Sequence, residues 1–92
     1  MMTVKEGVDR VKVVKYIEDH GVQTRNLFAG NLTKHPCFDE IRGDSGRYRI
    51  VGNLENTDRI MRDTFWVGVY PGMDDKRIDR MIRIIGQAAL KA

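Results

Sequence analysis

The segment TFWVGVY, residues 64–70, is the tightest constraint on this chain. It is β-branched or aromatic at every position except Gly68, and Pro71-Gly72 stops it abruptly. Such a run fits the pleated, half-buried surface of a sheet, and Pro-Gly marks a turn. A sheet therefore lies at the centre, and the remaining elements must cover it.

Helices supply that cover. Ile78, Met81, Ile82, Ile85 and Ala89 fall at i, i+3, i+4, i+7 spacing, which predicts a helix packed along that stripe. Asp74 is placed to cap it, and Met73 to pack on Ile78 as a staple. The acids at 74 and 75 suit the positive end of the helix dipole, and Lys91 suits its negative end. An earlier helix is predicted from Arg10 to His20. Asp9 is its N-cap, Gly21 its left-handed stop, and Val11, Val14 and Ile17, with Val13 paired to Ile17, are its apolar positions. NTDRIMRDT reads as a short third helix, with Asn56 or Thr57 as cap and Ile60 and Met61 pointing inward.

Two further strands are expected, Met2 to Val4 and Val22 to Ala29. Residues 30–53 are the least regular part, with glycines at 30, 43, 46 and 52 and a proline at 36. A helical turn is expected within Pro36 to Ile41, and a short strand at Tyr48 to Val51. The resulting order is β-α-β-loop-α-β-α. This is an α+β fold class: a three- or four-stranded sheet with helices mainly on one face. The opposite face then carries Phe, Trp or Tyr without cover, and an exposed aromatic face marks an interface.

Composition excludes several functions. At 92 residues the chain is one domain, and 41% hydrophobic with 32% charged residues is globular rather than disordered. No apolar run approaches the roughly 20 residues of a membrane helix. The start MMTVKEGVDR has no apolar core after a basic stretch, so the expected location is cytoplasmic. The net charge of +3 is spread among interleaved signs rather than clustered, which argues against nucleic acid as partner. Cys37 is the single cysteine, so no internal disulfide forms. His20 and His35 have no paired spacing with it, and no metal site is expected. No phosphate-binding glycine loop is present. No serine sits beside a base, and no lysine lies in an apolar setting that would activate it; Lys34 is the nearest candidate.

RNLFAGNLTKHPCF, residues 25–38, begins as a strand and then breaks. Gly30 permits close approach of a ligand or another backbone. Asn31 offers a donor and an acceptor, and Thr33 and Lys34 add a hydroxyl and a cation. These residues fit an ordinary turn and a ligand-facing strand end equally well.

The stretches QTRNLFAGNLTKHP and YRIVGNLENTDRIMRDTFWVGVYPG, together with the last helix, resemble a known family over Met2 to Ile85. They are similar to the carboxy-terminal segment of the sugar 3-dehydrases, in the DegT/DnrJ/StrS family of vitamin B6-dependent enzymes. The resemblance implies the small domain of the aspartate-aminotransferase, or fold type I, architecture. Residues 1–92 then form one small domain, the C-terminal fragment of a larger enzyme whose PLP-binding large domain is missing. It implies a nucleotide-sugar 3-dehydrase of deoxysugar and lipopolysaccharide biosynthesis, with pyridoxamine phosphate and a [2Fe–2S] cluster in the full-length enzyme. A separate NADH-dependent reductase and a homo-oligomer are implied as partners.

The family's cofactor-anchoring residue, cluster cysteines and most phosphate contacts lie upstream of these residues. No catalytic residue and no cofactor is therefore expected in this chain, and Cys37 is not read as a cluster ligand. In related sugar aminotransferases the position of Phe28 is a histidine that reaches the active site. The resemblance thus places Phe28, Gly30, Asn31 and Lys34 at the edge of a substrate or cofactor pocket. The alternative is a stand-alone basic binding or assembly module for nucleic acid or a protein partner.

Overall fold

The central strand of the sheet is Thr64–Val67 (β3), flanked by Met2–Thr3 (β1) and Thr24–Asn26 (β2), both antiparallel to it. The computed structural model describes residues 1–91. Met2 lies opposite Phe65 and Thr3 opposite Thr64, while Thr24, Arg25 and Asn26 face Val67, Trp66 and Phe65. The helices are Arg10–Asp19 (α1), Asp39–Arg42 (α2), Glu55–Asp63 (α3) and Asp75–Lys91 (α4).

The core forms where α1 and α4 cover one face of this sheet. Phe65 points into it and meets Val13, Ile17, Ile84 and Ala88, all buried. Side chains alternate across a strand, so Trp66 is carried to the opposite face. The expected α+β layer, with its aromatic second face, is the observed one. Four helices accompany a three-stranded antiparallel sheet.

Local chemistry accounts for the helix ends. Asp9 caps α1, its carboxylate accepting from the Val11 amide at 2.9 Å. Gly21 takes a left-handed φ of 84° just past the end of α1, and its amide donates to the Glu18 carbonyl at 3.0 Å. Asp74 accepts from the Arg77 amide at 2.9 Å at the start of α4. Helix α3 runs straight into β3, and its last carbonyls need partners. Arg10 supplies them, donating to the carbonyls of Met61 and Thr64 at 3.2 Å each. The buried Asp63 carboxylate accepts from Arg62 Nε at 3.1 Å.

Several expected details are corrected. The strand predicted over Val22 to Ala29 pairs only at Thr24–Asn26, and the one over 64–70 only at Thr64–Val67. The pairing of the two strands ends where Thr24 faces Val67, and after Asn26 the chain bends away from β3. Tyr48 to Val51 has no strand partner and is not a strand. The turn within Pro36 to Ile41 is present as a short 3₁₀ turn, Pro36–Phe38, followed by α2. Helix α3 starts at Glu55 rather than after Asn56 or Thr57, with Asn53 accepting from the Glu55 amide at 3.3 Å. Ile60 is exposed rather than inward, and so is Val11 on α1.

Helix α4 is rotated from its predicted orientation. Met81, Ile84 and Ala88 are buried, whereas Ile82 is 63% exposed and Ile78 and Ala89 also lie outside. Two overlapping stripes of α4 are apolar, and the one carrying the small Ala88 allows the backbone to come close to α1.

The molecule is long. Its radius of gyration is 16.9 Å and its extents are 54 × 30 × 21 Å, against about 12 Å for a compact domain of this length. Residues 32–51 form an arm that packs chiefly on itself. Arg42 donates to the carbonyls of Thr33 and His35 at 2.6 and 3.0 Å, and the Tyr48 hydroxyl donates to the Arg42 carbonyl.

Candidate functional site

The bend after β2 places Phe28 beside the uncovered face of the sheet. Its ring stacks on Trp66, with centroids 5.6 Å apart and planes 12° from parallel. Phe28 is 86% exposed and Trp66 36%, so the pair forms a flat apolar wall open to solvent. Arg25, the cross-strand partner of Trp66, shares this face.

The turn that follows fixes where the wall stands. Gly30 adopts a φ of 66°, and a Cβ there would meet Met61 Cβ at 2.6 Å. The freedom expected to admit a ligand at Gly30 is thus occupied by Met61. Asn31 is 3% exposed. Its amide approaches Met61 Sδ at 3.3 Å, and its side-chain oxygen accepts from the Thr33 amide at 3.0 Å. That last bond caps a 3₁₀ turn over Leu32–Lys34. The Asn31 side-chain Nδ2 donates to Asp58 Oδ1 at 2.8 Å, and Lys34 Nζ pairs with the same oxygen at 3.1 Å. The Asn31 hydrogen bond, with Lys34 next, holds the Asp58 carboxyl below the usual carboxylate range. His35 Nε2 closes the turn on the Ala29 carbonyl.

The structure therefore brings the four sequence-predicted residues into one turn but divides their labour. Phe28 presents itself to the open face. Gly30, Asn31 and Lys34 are engaged with α3, and their polar and conformational resources hold the turn. Asp58, Met61 and Trp66 belong to the same site and were not predicted for it. Asp58 and Met61 lie three residues apart on α3, the spacing that puts two side chains on one helix face. Nothing in this constellation transfers a proton at the wall, since Phe28 and Trp66 carry no titratable group. Its capacity is to bound a pocket and stack against a flat or apolar group.

Elsewhere, Leu32, Phe38, Ile41 and Tyr48 line an apolar cleft of about 170 Å³ within the arm. Among the described residues no three His, Cys, Asp or Glu side chains gather to hold a metal ion, and Cys37 is exposed. No helix among the described residues is long and apolar enough to cross a membrane.

The α+β layer thus has one bare aromatic face and a turn braced from behind by α3. The chain belongs to the DegT/DnrJ/EryC1/StrS aminotransferase family, whose model matches residues 1–86. It is 46% identical over 83 residues to the lipopolysaccharide biosynthesis protein RfbH of Salmonella typhimurium, a match covering 88% of this chain and 18% of that protein. It is 41% identical over 86 residues to the dTDP-4-dehydro-2,6-dideoxy-D-glucose 3-dehydratase of Saccharopolyspora spinosa, covering 94% of this chain and again 18% of the relative. The chain thus spans less than a fifth of the length of these relatives.

Proposed function

We propose that this chain is the C-terminal small domain of a vitamin B6-dependent nucleotide-sugar 3-dehydrase, acting on a CDP- or dTDP-linked 4-keto-6-deoxy sugar. In this reading it supplies one wall of a pocket whose cofactor-bearing remainder lies in a large domain. The observation that carries the proposal is the exposed Phe28–Trp66 stack on a chain covering 18% of relatives of which one is a sugar 3-dehydratase. An aromatic surface held rigid and left bare is costly to expose to water unless a partner covers it.

The residues at hand do not hold the cofactors of such an enzyme. A [2Fe–2S] cluster takes four cysteine thiolates, and the sequence has Cys37 alone. The turn at Gly30 is filled by Met61 and offers no cradle for a phosphate. Pyridoxamine phosphate and the cluster belong, in this proposal, to the large domain, and the electrons to a separate NADH-dependent reductase. The assembled enzyme is a cytoplasmic homo-oligomer. The part played by this chain is exclusion: Phe28 closes the pocket with a ring that cannot donate or accept a proton, where an aminotransferase would use a histidine.

The test is Phe28→His in a polypeptide that joins this chain to the large domain of its own family. Transamination products should then appear beside the deoxygenated sugar. An unchanged product distribution would remove Phe28 from the pocket.

A further inference from the structure

The proposed pocket edge is tied to α3 at two neighbouring residues, Asp58 through polar contacts and Met61 through packing. Asp58 Oδ1 receives both Asn31 Nδ2, at 2.8 Å, and Lys34 Nζ, at 3.1 Å. Both donors belong to the turn that immediately follows Phe28. One helical step along the same face, Met61 fills the space at Gly30 and its sulfur meets the Asn31 amide. Helix α3 passes without a loop into β3, the strand that carries Trp66. The Phe28 turn and the Trp66 strand are therefore tied through one helix, and the polar half of that tie converges on one carboxylate oxygen.

We propose that Asp58 is a positioning residue, the latch that holds Phe28 over Trp66 through Asn31 and Lys34. This deepens the pocket-wall reading and rests on it for its functional meaning, but the latch is readable without any ligand. The arrangement distinguishes Asp58 from its charged neighbours on α3. Arg59 and Arg62 are directed to Asp63, at the strand end of the helix and away from the turn. Asn31 is buried, so removing its acceptor leaves a donor without a partner, which the turn relieves by opening to water. Phe28 is attached three residues away and swings with it.

Trp66 is the only tryptophan, so its fluorescence reports the stack directly. Phe28→Ala sets the signature of an unstacked Trp66, in emission wavelength and in quenching by acrylamide. Asp58→Ala should shift both signals toward that signature, and the double variant should go no further than Phe28→Ala alone, because the two changes act on one contact. Asp58→Asn keeps an acceptor for Asn31 while losing the charge facing Lys34, and should restore most of the wild-type signal. Asn31→Ala removes the other half of the same bond and serves if Asp58→Ala does not fold; it should give the Asp58→Ala signature. Wild-type fluorescence in Asp58→Ala or, where that variant does not fold, in Asn31→Ala overturns the latch. So do shifts that add in the double variant. Either result leaves the family membership and the pocket-wall proposal standing, since no ligand or large domain enters the measurement.

Discussion

Gly30 lies against Met61 so closely that no Cβ fits between them, the side chain of Met61 occupying the space a Cβ would need. The contact is made by Cβ, Cγ and Sδ of the methionine, and the Cβ, fixed to the helix backbone, cannot swing aside. It locks the turn after β2 to α3 and leaves Phe28 outside.

Gly30→Ala is therefore expected to destabilise the chain for two separable reasons. The left-handed φ of 66° penalises any side chain by about 1–2 kcal/mol, and the overlap with Met61 adds to it. Adding Met61→Ala removes the Cγ and Sδ overlaps but keeps the Cβ at 2.6 Å, so it should return part of the overlap portion and leave the backbone portion. Urea midpoints of the two single variants and the double one check this. Equal midpoints for Gly30→Ala and wild type would contradict the contact.

The rotation of α4 separates residues that look alike in the sequence. Ile84→Ala should lower stability by about 2–5 kcal/mol, as for a fully packed aliphatic side chain. Ile82→Ala, two positions away and exposed, should change it by less than about 0.5 kcal/mol. Thermal melts of the two variants decide which stripe faces the core, and a larger loss at Ile82 than at Ile84 would argue for the orientation read from periodicity alone.

Much of this architecture was legible from residue order. The strand starting at Thr64, though it ends at Val67 rather than Tyr70, the caps at Asp9 and Asp74 and the core pair Val13 and Ile17 all follow from short-range chemistry. What escaped depends on partners distant in sequence. The length of β2 is set by the bend that carries the chain away from β3 after Asn26, and the choice between the two apolar stripes of α4 by how closely Ala88 lets it approach α1. At the site, sequence chemistry singled out Phe28, Gly30, Asn31 and Lys34, which the structure brings into one turn. It could not show that Asn31 and Lys34 are turned toward Asp58, because that contact spans 27 residues and a polar pair has no periodicity to reveal it.

Acid should weaken the turn in a defined direction. The Asp58 carboxyl titrates below its ordinary value of 3.8 in the folded chain, because Asn31 and Lys34 favour its charged form. Its contribution is then fully present above the unfolded value, near pH 4, and is lost as pH falls through the lower folded one. The stability difference between wild type and Asp58→Asn should be flat at neutral pH and shrink below about pH 4. Denaturant melts across that range check it. A difference that grew on acidification would reverse the sign and contradict the Asn31–Asp58–Lys34 arrangement.

The isolated chain should not bind pyridoxamine phosphate. Titration with the cofactor should leave its visible and near-ultraviolet absorbance equal to the sum of the parts, and no nucleotide sugar should be turned over. A stoichiometric band shift would show a cofactor site within these residues and displace the large domain from the proposal.

The central claim is that the Phe28–Trp66 face is a wall completed by a larger body. Hydroxyl-radical labelling measures it most directly, at those two rings, in this chain alone and in the chain joined to its family's large domain. The account predicts strong labelling of both rings in the isolated chain and marked protection of both when joined, with Tyr16 on the far side of the sheet unchanged. Equal labelling of Phe28 and Trp66 in the two states would contradict it.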